Sequence, residues 1–283
     1  MGKDIKVIVA AHKKYEMPKD KMYVPVQVGA EGKKDIGYTK DNTGDNISSK
    51  NSMYCELTGL YWAWKNLDAD YIGLAHYRRH FKGKKKSDNI MDNILSYEEA
   101  SNLLDKCDVI VPKKRNYMIE TIYSHYEHTH HIETLDCTRE VIAELYPEYL
   151  ATFDANMKKT YMHAFNMFIM SRENVNNYCK WLFDILFEVE KRLGDKEYDA
   201  FQARYPGRLS ELLFDVWMNK NGLNYKEVPF MYTEKINKIK KVKSFLAAKF
   251  LNQFISIFNC IIIKFFAVKF KFKIPIIIYY ISI

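Results

Sequence analysis

The last 48 residues, 236–283, contain no aspartate or glutamate, yet they carry nine lysines. The formal charge of +8 therefore belongs to that tail: residues 1–235 hold 34 basic and 35 acidic side chains, a net of −1. A nucleic-acid domain carries its basic footprint on the folded body, so a near-neutral body argues against that class of partner. Five cysteines, at 55, 107, 137, 179 and 260, form no CxxC pair, which leaves neither a disulfide framework nor a cysteine zinc site indicated. There is no GxGxxG, Walker lysine loop, GxSxG or HExxH, so nicotinamide, P-loop, serine-hydrolase and zincin chemistry lack support. The N-terminal apolar stretch stops at Lys13 and Lys14, too soon for a signal peptide, and a reducing cytoplasmic setting is expected.

What is present suits an open α/β sheet. Ile5 to Ala11 is a short β-branched run that delivers His12 at its end, and Asp70 to Ala75 is a second such run. Between them, residues 18–51 read as loop with one edge strand near Tyr23 to Val28. A helix follows, capped by Ser49 or Asn51 and running to Lys65. Ser96 should cap a helix over Tyr97 to Asp105, ahead of a strand at Asp108 to Val111. Further on come helical segments around Pro147, a strand over Phe165 to Met170, a long helix closed by Gly194, a helix over Ser210 to Asn221 and a strand near Tyr225.

Strand ends are where ligands sit in such sheets, which singles out His76-Tyr77-Arg78-Arg79. Two forked guanidinium groups beside imidazoles suit a diphosphate or carboxylate; the bland alternative is a solvated basic turn. Asp68-Ala69-Asp70 matches a metal-binding DxD pattern but precedes its strand, so it reads as a polar turn. Residues 125–131 hold four histidines and read as a loop, which either lines an acceptor cleft through His130 and His131 or is polar surface; zinc is the weaker choice. Glu211 and Asp215, four apart after the turn Pro206-Gly207-Arg208, share a helix face. They are either a catalytic base with its partner or ordinary helix stabilisation.

The segments AAHK, NISSKNSMYCELTGLYWAWKN, YIGLAHYRRHF, HAFNMFIMSRE and GRLSELLFDVW together resemble a bacterial glycosyltransferase family catalogued as domain of unknown function 4422, over about residues 4–232. That resemblance implies a GT-A-like α/β fold: an open, twisted, mostly parallel sheet flanked by helices. It implies transfer of a hexose, often galactofuranose, from a nucleotide-diphosphate sugar to a lipid-linked oligosaccharide in capsule, O-antigen or exopolysaccharide synthesis. Carried over by position, Ala11, His12, Asn46, Asn51, Glu56, Tyr61 and Trp62 would bind the donor, with His76, Arg78 and Arg79 at its diphosphate. Asn166 and Arg208 would face the acceptor, and His163 would join Glu211 and Asp215 as a catalytic candidate. No residues are assigned to a metal, because His-Tyr-Arg-Arg stands where the post-strand DxD is usual. Arginines would do much of the metal's work, the alternative being a weakly held Mg²⁺ or Mn²⁺ with a UDP-sugar donor.

The tail completes the expectation of a catalytic domain over 1–235 and a membrane-associating segment over 236–283. Its longest uncharged run, 250–263, falls short of the roughly twenty residues of a bilayer span. A narrow polar stripe through Lys241, Ser244, Ala248, Asn252, Ser256 and Asn259 instead fits an amphipathic helix lying on an anionic membrane surface. A buried core helix is its alternative. Together these expectations place the protein peripherally on the cytoplasmic face of the bacterial inner membrane, near a polyprenyl-linked acceptor. The rival class is a non-catalytic membrane-associated scaffold of polysaccharide assembly.

Overall fold

The apolar run at the start of the chain forms β1 (Ile5–Ala11), an interior strand of the sheet; β2 (Tyr23–Gln27) and the short β3 (Thr39–Lys40) follow. The computed structural model describes residues 2–194 and 196–234; the tail over 236–283, and the amphipathic helix expected there, lie outside them. Next in order come α1 (Asn51–Tyr54), α2 (Leu57–Asn66), β4 (Tyr71–His76), β5 (Arg79–Phe81), α3 (Tyr97–Leu104), β6 (Val109–Pro112) and β7 (Arg115–Asn116). Then follow α4 (Ile122–Thr129), α5 (Ile132–Leu145), α6 (Leu150–Met157), β8 (Tyr161–Met162) and β9 (Phe168–Ser171). The described chain ends with α7 (Arg172–Leu193), α8 (Tyr205–Lys220), β10 (Tyr225–Val228) and β11 (Phe230–Tyr232).

The main sheet runs β10-β6-β9-β4-β1-β2-β3, parallel along this path except for β9, which lies antiparallel between β4 and β6; β5 pairs antiparallel with the end of β4, and β11 antiparallel with β5. Layers on both faces explain why its strands are nearly all apolar. Along β1, Ile5, Val7 and Val9 pack with Phe81, Leu95 and Ala100, whereas Ile8 and Ala10 pack with Leu57, Leu60 and the α7–α8 helices. Among the described residues no helix is long and apolar enough to cross a membrane.

Four local expectations need correction. The helix expected from residue 49 or 51 to 65 is broken in two: Cys55 takes a left-handed φ of 52°, and Asn51 bonds the Cys55 carbonyl instead of capping. Pro206-Gly207-Arg208 is not a turn but the first turn of α8, so Glu211 sits one turn deeper than its sequence context suggests. Pro at a helix start costs nothing, because its missing N–H has no partner there anyway. The histidine-rich stretch is helical through Thr129, with Thr121 Oγ1 accepting the Ser124 N–H. Finally, the strand expected at Phe165 begins only at Phe168, because Phe165 and Asn166 both take left-handed backbone, φ 80° and 53°.

Candidate active site

Crossovers from β1 diverge here: β2 lies on one side of it and β4 on the other, which opens a crevice beyond their carboxyl ends. Ala10 pairs with His76 in register, so the two strands finish together. The cleft they leave has a volume of about 700 Å³. His12 enters it after β1; His76, Arg78 and Arg79 enter after β4; Asn51, Cys55 and Glu56 come from the break between α1 and α2; and Arg204, Arg208 and Glu211 come from the start of α8.

Two of these arginines are held in place but not satisfied. Arg79 stacks its guanidinium on the Phe165 ring at 4.3 Å, and its buried Nε has no hydrogen-bond partner. Arg208 lies over Phe201 at 4.1 Å, donates through Nη2 to the Phe201 carbonyl, and leaves buried Nη1 unpaired. A buried donor without an acceptor costs about 1–3 kcal/mol. The neighbouring imidazoles do not add charge: burial lowers the pKa of both His12 and His76, with Lys13 and Arg78 reinforcing the first. Neutral His76 donates from Nε2 to the Phe165 carbonyl at 2.6 Å, which leaves the lone pair on Nδ1.

Two carboxyls, Glu56 and Glu211, line the cleft. Burial raises the pKa of Glu211 to about 7, and the Glu56 carboxylate adds to the rise while the Phe165 N–H, Arg79 and Arg115 oppose it. Its Oε2 accepts the Phe165 N–H at 2.8 Å. One helical turn on, buried Asp215 accepts the His163 N–H at 3.0 Å and the His163 Nδ1–H at 2.6 Å. Two carboxylates of one helix thus grip the backbone of residues 163–165. Asn166 closes the arrangement: Nδ2 donates to Glu56 Oε1 at 2.8 Å and to the Gly207 carbonyl at 3.1 Å, and Oδ1 accepts from Ser210 at 2.8 Å. Left-handed backbone at two successive non-glycine residues costs of order 1–3 kcal/mol each and persists only under such over-determination.

The structure does not bring every candidate to the cleft. His163 and Asp215 lie buried behind it, with His163 Nε2 near Glu227 at 3.3 Å. Asn46 bonds the Gly44 carbonyl in a surface loop, Tyr61 reaches Asp45, Trp62 reaches Thr43, and Ala11 is buried in β1. Asn166 supports the cleft through Glu56 without lining it. His130 borders the cleft, its ring 5.7 Å from that of Phe201, and burial drops its pKa to about 4; His131 points to Glu133 and Tyr198. Sequence reasoning missed Lys33, Cys55, Arg204 and Phe201 in the lining and Phe165 beneath it. For Cys55 and Phe165 no local signal exists, since their left-handed backbone is set by packing.

The carboxylates of the DxD pattern lie apart from the cleft. Asp68 and Asp70 lie at the amino end of β4, in a separate surface depression with Asp4 and Arg172. At the cleft, Glu56 and Glu211 are each held by N–H donors, and among the described residues no three His, Cys, Asp or Glu side chains converge as an ion's ligands. Glu120 is taken by His125 and His128, at 2.7 and 2.9 Å.

Fold and site together define an α/β domain whose cationic cleft, with the buried carboxyl of Glu211 in its lining, opens at the sheet's topological switch point. A family model described as a domain of unknown function (DUF4422) matches residues 6–222, and the chain belongs to that family. Among solved structures the chain is similar to an apo structure of the WbbM bifunctional glycosyltransferase, with 28% sequence identity and a TM-score of 0.76. The match covers 82% of this chain and 46% of that one, so the chain spans under half of that protein. No curated protein matches the chain.

Proposed function

We propose that the chain is a glycosyltransferase with a GT-A-like catalytic domain, taking a hexose from a nucleotide-diphosphate sugar and placing it on a lipid-linked oligosaccharide. The observation that carries this reading is a cleft lined by Arg79, Arg208 and Glu211, in which each of the two guanidinium groups keeps a buried nitrogen, Arg79 Nε and Arg208 Nη1, without a partner. Likeness to a protein described as a bifunctional glycosyltransferase supports it.

The reaction breaks the bond between the sugar's anomeric carbon and the diphosphate oxygen. The electron pair leaves with the nucleoside diphosphate, whose growing charge meets Arg79 and Arg208, already aimed and needing little reorganisation. The acceptor hydroxyl oxygen forms the new bond to the anomeric carbon and gives its proton to Glu211, whose pKa near 7 suits a base working at neutral pH. His163, behind the cleft, acts through Asp215 and the backbone of Phe165, holding the N–H that orients Glu211. Fixed arginines take the charge-neutralising role that a divalent cation plays elsewhere.

The basic tail over 236–283 fits the same reading, because an acceptor confined to a membrane is best met by an enzyme held at its cytoplasmic surface. A thermal-shift screen with nucleoside diphosphates and their sugars tests the reading: a nucleoside diphosphate should raise the melting temperature of the wild type, and no response to any of them would oppose it.

A further inference from the structure

We propose that the loop over residues 113–119 is a lipid-docking tip that seats the cleft end of the domain on an anionic bilayer. The loop leaves the carboxyl end of β6, which is parallel to β4 through the intervening antiparallel β9, so it emerges at the same edge of the sheet as the cleft. Arg115, on this loop, is close enough to Glu211 to influence its ionisation.

At the tip, Met118 and Ile119 are 73% and 93% exposed, the two most exposed large apolar side chains among the described residues. A single exposed apolar residue is unremarkable, but this pair is built to face outward. Met118 takes a φ of 68°, its N–H is held by Asn116 Oδ1 at 2.7 Å, and the Ile119 N–H bonds the Tyr117 carbonyl at 3.0 Å. The base is anchored by the Tyr117 N–H on the Thr160 carbonyl and by the pairing of β7 with β8.

Charge selects the occupant. Lys113 and Arg115 are exposed at the base, no acidic residue falls between 113 and 119, and Glu120 beyond them is occupied by His125 and His128. Apolar side chains at a tip with basic residues one turn behind match the depth profile of a bilayer interface, acyl boundary outside and anionic headgroups next to it. The lysine-rich, acid-free composition of residues 236–283 points the same chain toward the same partner independently. The inference stands whether or not the cleft transfers sugar.

Ile119→Trp in the full chain provides the probe, because the four native tryptophans, at 62, 64, 181 and 217, are buried or half-buried. With vesicles of phosphatidylcholine and phosphatidylglycerol, the added emission should shift to the blue and be quenched by brominated acyl chains, and less so at high salt. Met118→Asp with Ile119→Asp should weaken vesicle co-sedimentation by about ten-fold or more while the thermal melt in solution is unchanged, since both side chains are exposed. Three results would overturn the proposal: no sedimentation with the vesicles; sedimentation with the new tryptophan still unquenched; or a blue shift that follows protein concentration without lipid, which would make the occupant a second copy of the chain.

Discussion

Phe165 donates its backbone N–H to Glu211 Oε2 at 2.8 Å, and its carbonyl accepts from His76 at 2.6 Å, so a single residue couples the end of β4 to α8. Its ring meanwhile supports Arg79. The carboxyl, the imidazole and the guanidinium of the cleft are thereby positioned by one strained residue, itself held through Asp215, His163 and Asn166.

Glu211→Gln separates the chemical from the structural cost of that carboxyl. The folded state keeps the proton to about pH 7, whereas an unfolded chain releases it near the ordinary value of 4.5; wild-type stability therefore falls as pH rises between those values and is flat above them. Replacing Glu211 by a neutral isostere should flatten that slope and stabilise the protein above neutrality by on the order of 3 kcal/mol. Transfer should drop by about 10²-fold or more, and the wild-type rate should climb through pH 7. Denaturant melts across pH, with a pH–rate profile, check both; an unchanged slope would contradict the burial of this carboxyl.

Arg79→Lys and Arg208→Lys keep the charge but lose the forked donors that stand unpaired. Each should weaken nucleoside-diphosphate affinity by about ten-fold or more in a calorimetric titration, with little change in melting temperature. Equal affinity for the variants would place the diphosphate elsewhere.

Asp215→Ala removes both acceptors of His163 on α8. Breaking a buried pair of this kind should cost about 3–5 kcal/mol in a denaturant melt, more than the same change at the half-exposed Asp184. In whatever fraction stays folded, the Glu211 pH profile should shift, because the segment that carries the Phe165 N–H is no longer pinned.

Much of this frame was legible in the sequence, and the reasons differ by element. The β1 run shows its limits because seven residues, six of them apolar and buried, end abruptly in His12 and two lysines, and His76 and Arg79 stand out because they close and follow another such run. Spacing alone put Glu211 and Asp215 on one face of a helix. What that face grips was hidden, since nothing local in His-Ala-Phe-Asn announces two left-handed residues. Pro206-Gly207 misled for a related reason: as a dipeptide it favours a turn, and only the packing of Gly207 against Cys55, where a β-carbon would lie 3.7 Å away, shows it inside a helix. Asn46, Tyr61 and Trp62 fall in a family-like segment, yet they serve a neighbouring loop.

If the arginines neutralise the departing diphosphate, transfer should proceed at its full rate in excess chelator. Loss of activity that Mn²⁺ restores would assign that role to a cation.

The most direct measurement is transfer itself: the full chain is incubated with a panel of nucleotide-diphosphate hexoses and a synthetic polyprenyl-linked oligosaccharide, and the lipid product is weighed by mass spectrometry. The account predicts one added hexose from at least one donor, with matched release of nucleoside diphosphate, and loss of both in Glu211→Gln. An unchanged acceptor across the whole panel, from protein that binds nucleoside diphosphate, would contradict it.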